Sequence, residues 1–105
     1  MGSVRLVDVG SHSLVIDHDL SISTLERKPG PPERLPGMTV GVVEVLADAP
    51  HGGENHPDGD EILYVFRGRL EITMESDPDR PIELGPGDAC IVPRGEWHRV
   101  HMIEP

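Results

Sequence analysis

Residues 54–68 read Glu54-Asn55-His56-Pro57-Asp58-Gly59-Asp60-Glu61-Ile62-Leu63-Tyr64-Val65-Phe66-Arg67-Gly68. This stretch places a carboxylate and an imidazole two residues apart, then a turn, then a second carboxylate at the head of an apolar run. Side chains at positions i and i+2 of a strand point to the same face, so Glu54 and His56 are expected to share a face. Residues 57–60 have the composition of a tight turn, which would bring Glu61 close to His56 at the start of the next strand.

The composition predicts a small all-β protein. A chain of 105 residues has the size of one domain, and a single domain over residues 1–105 is expected. Its 12 glycines and 11 prolines lie between short apolar runs and do not form a low-complexity tract. Short apolar runs separated by turn residues are typical of β-sheet proteins, and no stretch carries the period and caps of a long helix.

Several short runs have the β-branched or alternating composition of strands. The predicted strands are 4–9, 14–16, 20–25, 38–46, 62–66, 69–75, 82–84, 89–92 and 97–103. The proline-rich segment 28–37 is predicted to be a long loop, because proline removes a backbone donor and restricts the residue before it. Residues 76–81, which also contain proline, are interpreted as a hairpin turn.

The charge of the chain limits its partners. A net charge of −10 argues against nucleic acid and against anionic membrane surfaces, both of which require clustered basic residues. Cys90 is the single cysteine, so no internal disulfide suggests an oxidising compartment. No apolar stretch has the length of a secretory signal or a membrane span. A soluble cytoplasmic protein is therefore expected.

Two segments of the chain resemble the paired motifs of the cupin superfamily, whose members are small jelly-roll β-barrels. The family's first motif is Gly, five residues, His-x-His, three or four residues, Glu, six residues and Gly. Its second motif is Gly, five residues, Pro-x-Gly, two residues, His, three residues and Asn. The positions that match this spacing are His56, Glu61 and Gly68 in the first motif and Gly87, Pro93, Gly95 and His98 in the second.

Three positions depart from the family pattern. Glu54 stands in place of the first histidine, Asp48 in place of the leading glycine, and Met102 in place of the final asparagine. The resemblance implies a jelly-roll β-barrel with a metal ion at its centre, held by His56, Glu61 and His98 with Glu54 in the altered position. It also implies a homodimer paired through its sheets, with the N-terminal strand a candidate for exchange between subunits.

The same residues suggest a metal site by their chemistry alone. Two histidines and one carboxylate from different strands form a ligand set that suits Fe(II) and tolerates Mn(II), Ni(II) or Zn(II). A bound Glu54 would shift the preference toward Mn(II) or Fe(II), whereas an unbound Glu54 could act as a catalytic general base. His51 is an alternative ligand, because Gly52 and Gly53 could fold it back. His101 is expected on the opposite face from His98.

The motifs leave more than one function open. The first hypothesis is a metal-dependent enzyme of dioxygenase, isomerase or lyase type that acts on a small oxygen-rich molecule. The alternative is a non-catalytic cupin that binds or senses a small molecule, with or without metal. Without metal, Glu61 would be the charge partner of His56 and His98 in a hydrogen-bonded network. An accessory protein that serves as a dimerisation scaffold is a third hypothesis. The sequence does not identify the substrate or the metal.

Overall fold

The structure is a computed structural model that describes residues 2–29, 35, 37–48 and 53–105. Its elements are β1 (His12–Ile16), β2 (Ile22–Glu26), β3 (Met38–Val40), β4 (Glu61–Tyr64), β5 (Arg69–Met74), β6 (Asp77–Leu84), β7 (Ala89–Val92) and β8 (His98–Glu104). The described residues contain no helix, and therefore no helix that is long and apolar enough to span a membrane. The chain divides into two compact units, Met1–Glu44 and Val45–Pro105. One domain over 1–105 stays a prediction.

The first unit is built on a three-stranded antiparallel sheet in the order β2-β1-β3. β1 is the central strand, with Val15 opposite Ser23 on one side and Thr39 on the other. Val15 is buried, with 7% of its surface exposed. The turn between β1 and β2 is closed by the backbone N–H of Leu20, which donates to the carbonyl of Asp17 at 2.9 Å.

Leu20 gives a first testable prediction, because it has φ = 69°, in the left-handed region that disfavours residues with a Cβ. Its side chain is 79% exposed, so it contributes little packing. We expect Leu20→Gly to raise the free energy of unfolding by about 0.5–1 kcal/mol, the relief of strain less the larger backbone entropy of unfolded glycine. Urea unfolding measures this change. Leu20→Ala keeps a Cβ and should show no comparable gain, and equal gains in both variants would contradict the interpretation.

The second unit contains two antiparallel sheets, a β4-β7 pair and a three-stranded sheet in the order β6-β5-β8. The two sheets share one core, because its buried side chains come from both of them or from the residues that follow them. These residues are Val65, Ile72, Leu84 and Val92. Leu84 lies opposite Leu70 and is 1% exposed. This core fixes the strands that carry the candidate site.

Gly68, the last residue of the first motif, is required by the backbone. It has φ = 82°, and a Cβ at this position would overlap the carbonyl oxygen of Glu104. Both observations disfavour every residue with a side chain. The glycine therefore allows the chain to turn from β4 into β5 close to the end of β8.

Two of the predicted strands are absent or mostly absent from the structure. Residues 4–9 do not form a strand, and the side chains of Val4 and Leu6 are fully exposed. Of the predicted strand 38–46, only residues 38–40 are extended and paired. The pairing stops near His12, whose carbonyl accepts a hydrogen bond from the guanidinium of Arg27 at 3.1 Å. Apolar alternation does not reveal whether a partner edge is available.

The predicted hairpin turn at 76–81 is also wrong, because β6 begins at Asp77 and runs through Pro78 and Pro81. The turn itself falls on residues 75–76. β6 pairs only with β5 in the described part of the chain, so it is an edge strand there. Proline is tolerated in an edge strand because its missing N–H need not reach a neighbouring strand.

Candidate metal centre

Glu54 and His98 are directly opposite each other across an isolated β-bridge. The N–H of Glu54 donates to the carbonyl of His98 at 2.8 Å, and the N–H of His98 donates back at 2.9 Å. Directly opposed residues of an antiparallel pair project their side chains to the same face. His56, two residues after Glu54, is brought to that face as the sequence predicts. The bridge therefore brings the two motifs together.

Glu61 reaches the same place from the start of β4, after the predicted turn at 57–60. Its Oε2 lies 3.2 Å from Nε2 of His56, and its Oε1 lies 3.5 Å from Nε2 of His98. Oε2 of Glu54 lies 3.3 Å from the same nitrogen of His56. The two imidazole rings are 5.3 Å apart between centroids and inclined at 46°. The four predicted side chains thus meet around one small volume, here called the His–carboxylate cluster.

The turn of the second motif, which contains Arg94 and Gly95, is hydrogen-bonded to residues of the first motif. The sequence alone does not predict these contacts. Gly95 donates its N–H to the carbonyl of His56 at 3.0 Å, and Asn55 donates its side-chain amide to the carbonyl of Gly95 at 3.1 Å. The carboxylate of Asp60 accepts the N–H of Arg94 at 2.9 Å. These hydrogen bonds fix the position of His56 relative to His98.

The hydrogen bond made by Nδ1 of His98 sets the state of its ring. Nδ1 lies 3.1 Å from the carbonyl oxygen of Glu96. A carbonyl only accepts, so Nδ1 carries the proton, and in the neutral form of the ring Nε2 would present a lone pair to the cluster. His98 is 2% exposed. A neutral imidazole oriented through its other nitrogen is the usual arrangement of a metal-binding histidine.

The Nε2 atoms of His56 and His98 are buried and make no hydrogen bond with the described residues. Carboxylate oxygens lie within ion-pair distance of both nitrogens, but not in hydrogen-bonding geometry. Buried polar atoms are almost always satisfied, so two unsatisfied nitrogens beside carboxylates mark a place that a bound ion could occupy. A divalent cation fits, because it accepts lone pairs from both kinds of ligand.

One ligand atom from each of Glu54, His56 and His98 can be chosen so that all lie within 4.8 Å of one another. Glu61 is outside that group of three, although its carboxylate contacts both rings. Its predicted role as a ligand, and that of Glu54 as a ligand or catalytic base, stay predictions. The alternative ligand His51 lies outside the described residues.

The cluster is closed on one side and open on the other. The His98 side chain is 1% exposed, whereas those of Glu54 and His56 are 43% and 40% exposed. Among the described residues, the exposed part of the cluster is therefore the side of Glu54 and His56. His101 is exposed, as expected for the face opposite His98.

Asp48, which replaces the leading glycine of the first motif, has a role of its own. Its Oδ2 lies 2.6 Å from Nδ1 of His101, and its Oδ1 accepts the N–H of Met102 at 2.6 Å. The hydrogen bond with His101 is the main cause that lowers the pKa of the Asp48 carboxyl, and the hydrogen bond from Met102 adds to it. The same pairing with Asp48 raises the pKa of His101. Glu71, opposite His101 on β5, acts in the same direction.

The Asp48–His101 pair predicts a pH-dependent contribution to stability. The lowered pKa of Asp48 makes the contribution present above about pH 4, and it is lost as the pH falls through the folded pKa. Because the pKa of His101 is raised, the stabilising contribution of the pair is fully present below about pH 6.5. This contribution is lost as the pH rises through the folded pKa of His101. We expect the difference in Tm between wild type and His101→Gln to be largest between these two values. An equal difference at about pH 5 and about pH 9 would contradict this, and His18→Gln is the control.

A family model described as a cupin domain matches residues 41–105, more than half of the chain. The matched region includes both motifs and all four side chains of the His–carboxylate cluster. No curated protein and no solved structure matches the chain. Together with the antiparallel sheets, the family match confirms the all-β, jelly-roll fold class that the two motifs implied.

Proposed function

We propose, given that this chain belongs to the cupin family, that its His–carboxylate cluster is a metal centre that acts on a small oxygen-rich molecule. The ligands would be His56, Glu61 and His98, with Glu54 as a fourth ligand or as a base beside them. The observation that carries this proposal is the pair of buried Nε2 atoms without hydrogen-bond partners, each beside a carboxylate. Two imidazoles with carboxylates favour Fe(II) or Mn(II), and Zn(II) or Ni(II) would also fit.

In this proposal the residues of the cluster have two roles, metal binding and proton transfer. A divalent ion bound there would supply Lewis-acid chemistry or, as iron, the activation of dioxygen. His98 is held by Glu96 with its Nε2 lone pair directed inward. Glu54 lies on the more exposed side, where its carboxylate could take a proton from a substrate hydroxyl. An enediol, a hydroxy-ketone or a hydroxy acid would offer such a proton together with a second oxygen for binding.

Turnover separates the enzyme from a non-catalytic binding or sensing protein. Protein purified without a His-tag should be loaded with Fe(II) and offered these compounds while oxygen uptake and product formation are followed. Consumption of substrate, by oxidation, isomerisation or cleavage, would support the enzyme, and the fold alone does not choose among these reactions. A ligand that raises Tm without forming any product would favour the binding protein.

Glu54→Gln distinguishes the two roles of Glu54. If Glu54 is the base, the variant should retain metal and lose turnover; if it is a ligand, the variant should lose metal affinity. Glu26→Gln, on an exposed position of β2, is the matched control and should change neither property. Unchanged metal content and unchanged turnover in Glu54→Gln would contradict both roles.

A homodimer and a cytoplasmic location are proposed on the family resemblance and the composition, and analytical ultracentrifugation tests the homodimer.

A further inference from the structure

Two positions that depart from the family motifs are in direct contact. Asp48 takes the place of a glycine and Met102 that of an asparagine, and the carboxylate of Asp48 accepts the backbone N–H of Met102. The second oxygen of the carboxylate is bound by Nδ1 of His101 at 2.6 Å. Asp48 therefore makes two short contacts with consecutive residues of β8.

These contacts lie along the edge of β8 that also carries the Glu54 bridge. β8 pairs with β5 through one edge, and successive N–H groups of a strand point to alternate edges. The N–H groups of His98 and Met102, four residues apart, go to Glu54 and Asp48 rather than to β5. Asp48 and Glu54 are thus both bound to the same edge of β8.

We propose that Asp48 is a positioning residue for Glu54, because it adds a second attachment to the edge of β8 on which Glu54 lies and so helps to keep the Glu54 carboxylate beside His56 and His98. This inference rests on the proposed metal centre. Without Asp48 the Glu54–His98 bridge would remain, but this second attachment would be lost and Glu54 would gain conformational freedom. Metal binding would then have to order Glu54 again, and this ordering would lower the apparent affinity.

The test is the affinity for Mn(II), measured by calorimetry on the full chain with and without Asp48. We expect Asp48→Ala to weaken Mn(II) binding about 10-fold, at the lower end of the effect of residues that orient metal ligands. Asp48→Asn keeps an oxygen that can accept the N–H of Met102 and should restore part of the affinity. Asp19→Ala is the matched control, since Asp19 also accepts a backbone N–H and a side-chain donor, both from Ser21. It should leave Mn(II) affinity unchanged.

A second background shows whether Asp48 acts through Glu54. In Glu54→Gln protein, Asp48→Ala should cause no further loss of affinity. An equal loss in both backgrounds, or a lowered Tm with unchanged affinity, would overturn the inference and leave the metal centre intact. Wild-type protein that binds no Mn(II), Fe(II), Zn(II) or Ni(II) would overturn the proposed function and this inference with it.

Discussion

Replacing His98 with glutamine is expected to remove a bound divalent ion from the protein almost completely. The substitution takes away an Nε2 atom that is buried, oriented by Glu96 and without a hydrogen-bond partner among the described residues. Loss of a residue that merely orients a ligand lowers metal affinity about 10–100-fold, so loss of the ligand itself should lower it by more than about 100-fold. Glutamine fills much of the same space, which limits the effect on folding.

Elemental analysis of dialysed, untagged protein measures this result. Wild type should retain about one ion per chain, and His98→Gln should retain almost none. The control is His18→Gln, because His18 is an exposed histidine in the turn after β1. Equal metal content in wild type and His98→Gln would show that the cluster is not the metal site. If the cluster is instead a metal-free network, the wild type should contain no ion and His98→Gln should be less stable than the wild type.

The second large effect is expected from Leu84→Ala, which should lower the free energy of unfolding by about 2–5 kcal/mol. Leu84 is 1% exposed and belongs to the core that both sheets of the second unit share. Truncation would leave a cavity among Val65, Ile72 and Val92, and a core of this size has little capacity to close it. A small domain is stable by only about 5–15 kcal/mol, so the loss is a large fraction of the total.

Thermal unfolding followed by circular dichroism measures this change, and Tm should fall by more than about 10 °C. Leu6→Ala makes the same chemical change at a fully exposed position and should alter stability by less than about 0.5 kcal/mol. A Tm shift in Leu84→Ala no larger than that in Leu6→Ala would show that the second unit does not depend on this core.

The sequence predicted which side chains lie together in the candidate site better than it predicted the strands, and spacing is the reason. The two-residue separation of Glu54 and His56, and the turn before Glu61, fix which face each side chain occupies whatever the exact strand ends. The place of His98 follows only from the second motif, since pairing between distant segments has no local signal. The alternation of apolar and polar residues was likewise sufficient to predict β5, because one face of this strand is buried against the core.

The failures concern features that depend on distant partners. Val4 and Leu6 have strand-like composition, yet a strand forms only where a second edge can pair with it. Pro78 and Pro81 indicated a turn, since nothing in the local sequence shows that β6 lies at the edge of its sheet. The Asp48 contacts were also missed. A lone carboxylate in a loop gives no indication of the backbone N–H that it will accept.

The prolines of β6 have a consequence for the behaviour of the protein at high concentration. An outer strand normally offers a row of free N–H and C=O groups to any other extended chain, which is how fibrils and ordered aggregates begin. Pro78 and Pro81 remove two backbone N–H donors from this strand, and Asp79 adds a charge between them. β6 therefore makes a poor template for stacking one molecule on the next, and this border of the sheet should resist polymer growth.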